Sequence, residues 1–316
     1  MTISFELFRR IARLRAPLFA ALILVVAGCE STESFNPDSS IPPDAVDHGV
    51  AAAPAPESAS IAFAGGIPIG FFNQPISEFG SRLNGAHSNV APEQLRVELA
   101  AIKARGGKVV LAISGSPKYY MEDGHFSLTK WKQRVNRFRG VDFSSYINDG
   151  TVIGHYMIDE PNDASNWGGR PVSPSTLEEM AKYSKQLWPG MPTIVRVDPG
   201  YLANDHRYLD AAWAQYLSRR GDVNTYIRTM TSEAQRKGLA LVVGLNVLKG
   251  GKPNGTPMTA SEVESWGSAL LSSSYPCAFI NWKYTSSYMS SSSIRSALDA
   301  LRRKAESRSD RSCRGS

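Results

Sequence analysis

Between residues 61 and 306 the chain alternates short, almost unbroken apolar runs with longer segments of helical period, and this alternation restricts it to few folds. The runs are IPIGFFN (67–73), KVVLAIS (108–114), TVIGHYMI (151–158), PTIVRVD (192–198), AAWAQY (211–216), LALVVGLN (239–246) and CAFINWKY (277–284). Runs with no polar face belong to strands covered on both sides, which is the condition of a parallel sheet. The intervening segments carry helix signals. Leu95, Leu99 and Ile102 share one face of 91–107, with Pro92 near the start and Gly106 at the end. Segments 173–190, 222–238 and 259–273 open on Ser, Asp or Thr, and 292–305 closes the series. Right-handed crossovers between parallel strands leave a closed (β/α)8 barrel or an open doubly wound sheet. FFNQP stands where a dinucleotide-binding sheet would carry G-x-G-x-x-G, and the length suits a barrel. The expected fold is therefore α/β, a single-domain (β/α)8 TIM-type barrel over 61–306. Its eighth strand has to come from the irregular stretch FGSRLNGAHSNV, 79–90.

The residues before the barrel read as an export signal. Arg9, Arg10, Arg13 and Arg15 precede the apolar run APLFAALILVVAG, which is short for a membrane span and ends in small residues. It leads into VAGC, Val26 to Cys29, which resembles a bacterial lipobox. That resemblance implies a signal peptide over 1–28, lipid on Cys29 and attachment to a membrane in the bacterial cell envelope, outside the cytoplasm. Glu30 carries no Asp-type inner-membrane retention signal. Residues 29–60 are rich in Ser, Pro and Ala and poor in large apolar residues, the composition of a disordered linker. A disordered basic tail is expected over 307–316. Cys277, in PCAFINW, reads as a buried small hydrophobe. Cys313 sits in the polar tail, and a bond between the two is not the expected arrangement.

The net charge of +6 lies at the termini: residues 1–28 contribute +3 and residues 302–316 contribute +4, leaving −1 for the body. A nearly neutral body argues against a nucleic-acid partner. The histidines at 48, 87, 125, 155 and 206 lack metal-ligand spacing, so no metal and no cofactor are expected.

In a barrel of this kind function sits at the C-terminal ends of the strands. Those ends carry Asn73, Asp159 and Glu160, Arg196 and Asp198, Gln215, Asn246, Trp282 and Tyr284. Carboxylates and amides bond hydroxyls and aromatic rings cover the apolar face of a pyranose, so the set suits carbohydrate. Asp159-Glu160-Pro161 resembles the Asn-Glu-Pro signature that ends strand four in the large clan of barrel glycoside hydrolases. The resemblance implies Glu160 as general acid/base, Asp159 in the place of the sugar-binding amide, and Trp282 as the platform beneath the reacting sugar. Retaining members of that clan carry a nucleophilic Glu at the end of strand seven, where this chain has Asn246. A carboxamide cannot take that role. Asp198 or Asp159 could supply the second carboxylate, although neighbours on a strand point apart; otherwise the site binds sugar without cleaving it. Each residue also has a plainer reading: Asp198 before Pro199-Gly200 as the start of a turn, Arg196 as an internal ion-pair partner, Trp213 and His155 as core. The expectation is a glycoside hydrolase-like lipoprotein, with a non-catalytic carbohydrate-binding protein on the same fold as the alternative.

Overall fold

The computed structural model describes residues 65–80 and 82–315, so the signal segment, Cys29 and the linker expected from the sequence lie outside the described residues. Eight parallel strands close into a barrel: β1 (Ile69–Phe72), β2 (Gly85–Ser88), β3 (Lys108–Leu111), β4 (Val152–Asp159), β5 (Thr193–Arg196), β6 (Ala211–Tyr216), β7 (Ala240–Leu245) and β8 (Ala278–Asn281). Each pairs with its sequence neighbours, and β8 closes on β1 with Ile69 opposite Phe279. The strand that the apolar pattern left unassigned is β2, within 79–90, which makes Val152–Asp159 the fourth strand of the barrel. At Gly70 a side chain is excluded, because a Cβ there would lie 1.6 Å from the Gly85 carbonyl oxygen on β2.

Helices cover the outside. Those read from the sequence are α1 (Leu95–Ala104), α4 (Pro174–Leu187), α5 (Val223–Arg236), α6 (Ala260–Ser272) and α8 (Ser292–Glu306). Their starts are capped as the sequence signals imply: Ser173, Asp222 and Thr259 accept from the backbone N–H three residues on, and Thr259 with Glu262 forms a reciprocal capping box. The long segment between β3 and β4 adds α2 (Leu128–Asn136) and α3 (Ser144–Asn148), which the periodicity did not mark, and α7 (Ser286–Met289) precedes α8.

Two aliphatic and aromatic populations result from the strand alternation. One lies between sheet and helices. The other, including Phe72, Val110, Tyr156, Ile194, Trp213, Val242 and Ile280, fills the barrel itself. His155 takes the outer side, where its Nδ1 lies 2.8 Å from Ser184 Oγ on α4 and its ring stacks on Trp131 of α2; it is a core residue.

The C-terminal segment corrects two expectations. Residues 307–315 are not a loose tail but cross the N-terminal end of the barrel, and Cys313 is disulfide-bonded to Cys277, immediately before β8. Arg308 Nη2 donates to the Pro276 carbonyl at 3.0 Å, Lys108 pairs with Asp310, and Arg314 donates to the Gly190 carbonyl ahead of β5. Both sulfur atoms are buried in the barrel interior cluster. The polarity of 307–316 suggested disorder because local composition carries no record of a covalent tie 36 residues away. Loss of that tie in Cys313→Ser is expected to lower unfolding free energy by about 3–4 kcal/mol, the value for a closed loop of this length. Urea unfolding of the variant and wild type, each with and without reductant, measures it; the variant should not respond to reductant.

Candidate functional site

The C-terminal mouth of the barrel is organised by a register change in β4. Against β5, β4 pairs His155 with Thr193 and Tyr156 with Ile194, then skips Met157 and resumes with Ile158 opposite Val195 and Asp159 opposite Arg196. The extra residue resets the alternation. Met157 and Ile158 both pack on the helix side, whereas Tyr156 and Asp159 both serve the interior. Glu160 follows with φ +39°, a left-handed backbone that costs a residue with a side chain about 1–2 kcal/mol. Its N–H donates to the Arg196 carbonyl at 2.9 Å, and its own carbonyl accepts from Trp167 Nε1 at 3.0 Å, which holds that conformation. The two acids therefore do not diverge as strand neighbours would. Both reach Arg196.

Arg196 is the junction. Its Nη1 pairs with Asp159 Oδ1, its Nη2 lies 3.3 Å from Glu160 Oε1, and its Nε donates to Gln215 Oε1 at 3.1 Å. The guanidinium carbon sits 5.1 Å from the Trp282 ring centre and 5.7 Å from that of Phe72. Burial works against this charge, but Asp159, Tyr156 and Glu160 outweigh it and raise the Arg196 pKa above its ordinary value. Gln215 is fixed in turn, donating from Nε2 to the Leu245 carbonyl at 2.8 Å.

Beneath the mouth lies a floor of four rings. Phe72 stacks on His87 at 4.2 Å and meets Trp213 at 4.6 Å, and Tyr156 stands edge-on to His87 at 4.5 Å. Burial, reinforced by the charge of Arg196, pushes His87 down to about 3, and neither of its ring nitrogens has a hydrogen-bond partner. Burial and the nearby Asp159 carboxylate push the Tyr156 phenol well up.

Two cavities open above this floor. One, of about 150 Å³, is mostly apolar and is lined by Phe72, His87, Tyr120, Tyr156, Asp159 and Trp282, with Asn73, Asn89 and Ser116 among its polar groups. The other, of about 220 Å³, is polar and is lined by Glu160, Arg196, Asp198, Trp213, Gln215, Arg219 and Arg220, with Asn162, Asp163 and Val197. Asp159 faces the first and Arg196 the second, so their ion pair lies where the two meet. Asp198 is held by Arg220 and by the Tyr226 hydroxyl at 3.4 Å. Lys237 secures the turn after it, donating Nζ to the carbonyls of Pro199, Gly200 and Leu202.

With this geometry the comparisons with known proteins are informative about fold. No family model matches the chain, and no curated protein does. Among solved structures the barrel is similar to a β-glucanase from Saccharophagus degradans in complex with cellotetraose, at 9% identity and a TM-score of 0.55, over 77% of this chain and 88% of that one. It is also similar to a hyperthermophilic endocellulase from the archaeon Pyrococcus horikoshii, at 11% identity and a TM-score of 0.50, over 75% and 92%. What the chain shares with both is the fold, a closed (β/α)8 barrel.

The sequence-derived site residues divide accordingly. Glu160, Asp198, Arg196 and Gln215 share the polar cavity; Asp159, Trp282 and Asn73 line the apolar one. Asn246 and Tyr284 line neither. Asn246 Oδ1 accepts from the Lys249 N–H at 3.1 Å and shapes a turn, and the Tyr284 hydroxyl lies 3.0 Å from Glu78 while its ring meets Phe71 on the helix side. Sequence reading missed His87, whose strand it had not assigned, and Arg219 and Arg220, which follow β6 in an ordinary-looking polar turn.

Removing the shared cation in Arg196→Met is expected to destabilise the fold by about 3 kcal/mol, the low end for an orphaned buried ion because Glu160 is half exposed. Thermal and urea unfolding at pH 7 read it. Acid should also act through His87. Its folded pKa of about 3 lies below the unfolded value near 6.5, so the unfolded chain binds the extra proton and stability falls as pH drops through 6.5. Between pH 7 and 5 this one ring accounts for about 2 kcal/mol. His87→Phe should shrink the pH-dependent loss by that amount, as measured by urea unfolding at each pH.

Proposed function

We propose that the protein is a glycoside hydrolase acting on an oligo- or polysaccharide, with Glu160 as proton donor and Asp198 as second carboxylate. The observation that carries this reading is that the two acids line one solvent-reachable cavity at the C-terminal end of a barrel. Glu160 is the freer of the neighbouring acids. Asp159 takes the close contact with Arg196, whereas Glu160 lies at 3.3 Å, long for a charge-assisted hydrogen bond, and its side chain is 47% exposed. Protonation of the glycosidic oxygen by Glu160 would break the bond to the leaving sugar. Asp198 would meet the positive charge developing at the anomeric carbon, as nucleophile or as base for the attacking water. Trp282, Tyr120 and Tyr156 offer rings in the adjoining cavity for the apolar face of a sugar. Glu160→Gln should then lower kcat by about 10²–10⁴-fold while leaving the glycan bound. The assay is release of reducing ends and direct binding on the same glycan panel. The anomer of the first product distinguishes the two roles of Asp198.

A second reading has its own observation. Asp159, Asp198 and Glu160 all face arginine, and Asn246 stands where retaining relatives by resemblance carry a nucleophile. Under that reading the protein holds carbohydrate without cleaving it, and wild type and Glu160→Gln would bind alike and release nothing.

We further propose that Cys29 carries lipid and places the domain at the bacterial envelope. A disulfide between Cys277 and Cys313 supports an oxidising compartment. Radiolabelled palmitate should label the wild type and not Cys29→Ser.

A further inference from the structure

Three arginines line the polar cavity, and two are spent. Arg196 serves Asp159, Glu160 and Gln215. Arg220 serves Asp198 and lies 5.8 Å from the Tyr226 ring centre. Arg219, one residue earlier on the turn after β6, is exposed and has no ion pair, hydrogen bond or ring contact among the described residues. The remaining acid of the lining, Asp163, is turned to its own chain, where Oδ1 accepts from the Ser165 N–H at 3.0 Å and from the Ser165 hydroxyl at 2.6 Å.

The neutral donors show the same imbalance. Trp213 forms part of the cavity wall and is 1% exposed, yet its indole N–H has no acceptor. An indole nitrogen can only donate, and a buried donor left unpaired costs about 1–3 kcal/mol. Asn162 adds an exposed amide on the same lining. The acceptors Glu160 and Asp198 are matched to arginine, whereas a guanidinium and an indole N–H are left over. A ligand that completes this cavity has to bring oxygen atoms that accept, and one of them has to suit a guanidinium, whose planar fork fits a carboxylate or sulfate.

We propose that the glycan this site takes bears an oxyanion, the carboxylate of a uronic acid or a sulfate ester, and that Arg219 reads it. The proposal deepens the hydrolase reading and rests on its assignment of the polar cavity to substrate. Arg219 acts on specificity: it touches a substituent and not the scissile bond.

The test pairs neutral oligosaccharides with acidic counterparts of the same linkage: β-1,4-cello-oligosaccharides with β-1,4-oligoglucuronates, β-1,4-manno-oligosaccharides with β-1,4-oligomannuronates, and agaro-oligosaccharides with their sulfated forms. Binding is measured by calorimetry on wild type and Arg219→Gln, whose exposed side chain leaves folding to the rest of the barrel. Wild type should bind the acidic member of at least one pair about five- to tenfold more tightly, the scale of one charge-assisted contact at a cavity rim. In Arg219→Gln that ratio should fall to within about twofold, and raising NaCl should erode the preference in wild type only. Preference confined to the carboxylated pairs or to the sulfated pair identifies the oxyanion. Equal binding of neutral and acidic members, or an acid preference that survives Arg219→Gln, overturns the proposal. Glu160-dependent cleavage of neutral glycans without acid preference overturns it alone, whereas failure of every glycan to bind overturns it together with the hydrolase reading.

Discussion

A single buried cation at the mouth of the barrel determines the arrangement around it. Arg196 projects from the end of β5 into the interior, where a lone charge would be expelled by its desolvation cost. It is retained because Asp159, Glu160 and Gln215 satisfy three of its nitrogens and two aromatic rings cover its plane. Everything in reach is placed by that demand. The bulge at Met157 turns Asp159 inward, the left-handed backbone at Glu160 brings the next acid back to the same guanidinium, and Gln215 is locked between Arg196 and the Leu245 carbonyl. The two cavities exist as separate spaces because this assembly stands where they meet.

Much of the barrel could be read from the sequence because parallel strands buried on both faces show themselves as unbroken apolar runs. The run 211–216 coincides with β6, and the other runs contain β1, β3, β5, β7 and β8 and nearly all of β4. The exception, β2, is the four residues Gly85-Ala86-His87-Ser88, too small and polar to register as a run. Its composition follows from where it packs. Gly85 faces a crowded interior, with Ile280 and Pro68 side-chain carbons 2.9 Å from where its Cβ would lie, and His87 is accepted only as a neutral ring stacked on Phe72. The clasp made by Cys277 and Cys313 was illegible for a different reason: it pairs an apolar strand with a polar segment, and neither context signals the other.

The site was legible as a set of residue types at strand ends, less so as a geometry. Glu160, Asp198, Arg196 and Gln215 line one cavity at the C-terminal end of the barrel. The rule that strand neighbours diverge failed at Asp159 and Glu160 because it assumes regular extended backbone, and the positive φ at Glu160 breaks that regularity. Asn246 and Tyr284 have the right chemistry at the right strand ends, but the local turn and the outer core claim their polar atoms first.

The covalent closure across the N-terminal end has a bearing on how such a barrel can change over generations. Lys108 at the start of β3, Gly190 ahead of β5 and Cys277 just before β8 are all tied to the C-terminal segment on the side away from the cavities, by the bond between Cys277 and Cys313 and by contacts of Lys108, Arg308 and Arg314. With rigidity supplied from below, the loops above β4, β5 and β6 are released from holding the barrel shut. Replacements there that leave the partners of Arg196 in place can reshape the two cavities at little risk to folding, so this architecture lends itself to variation at the mouth.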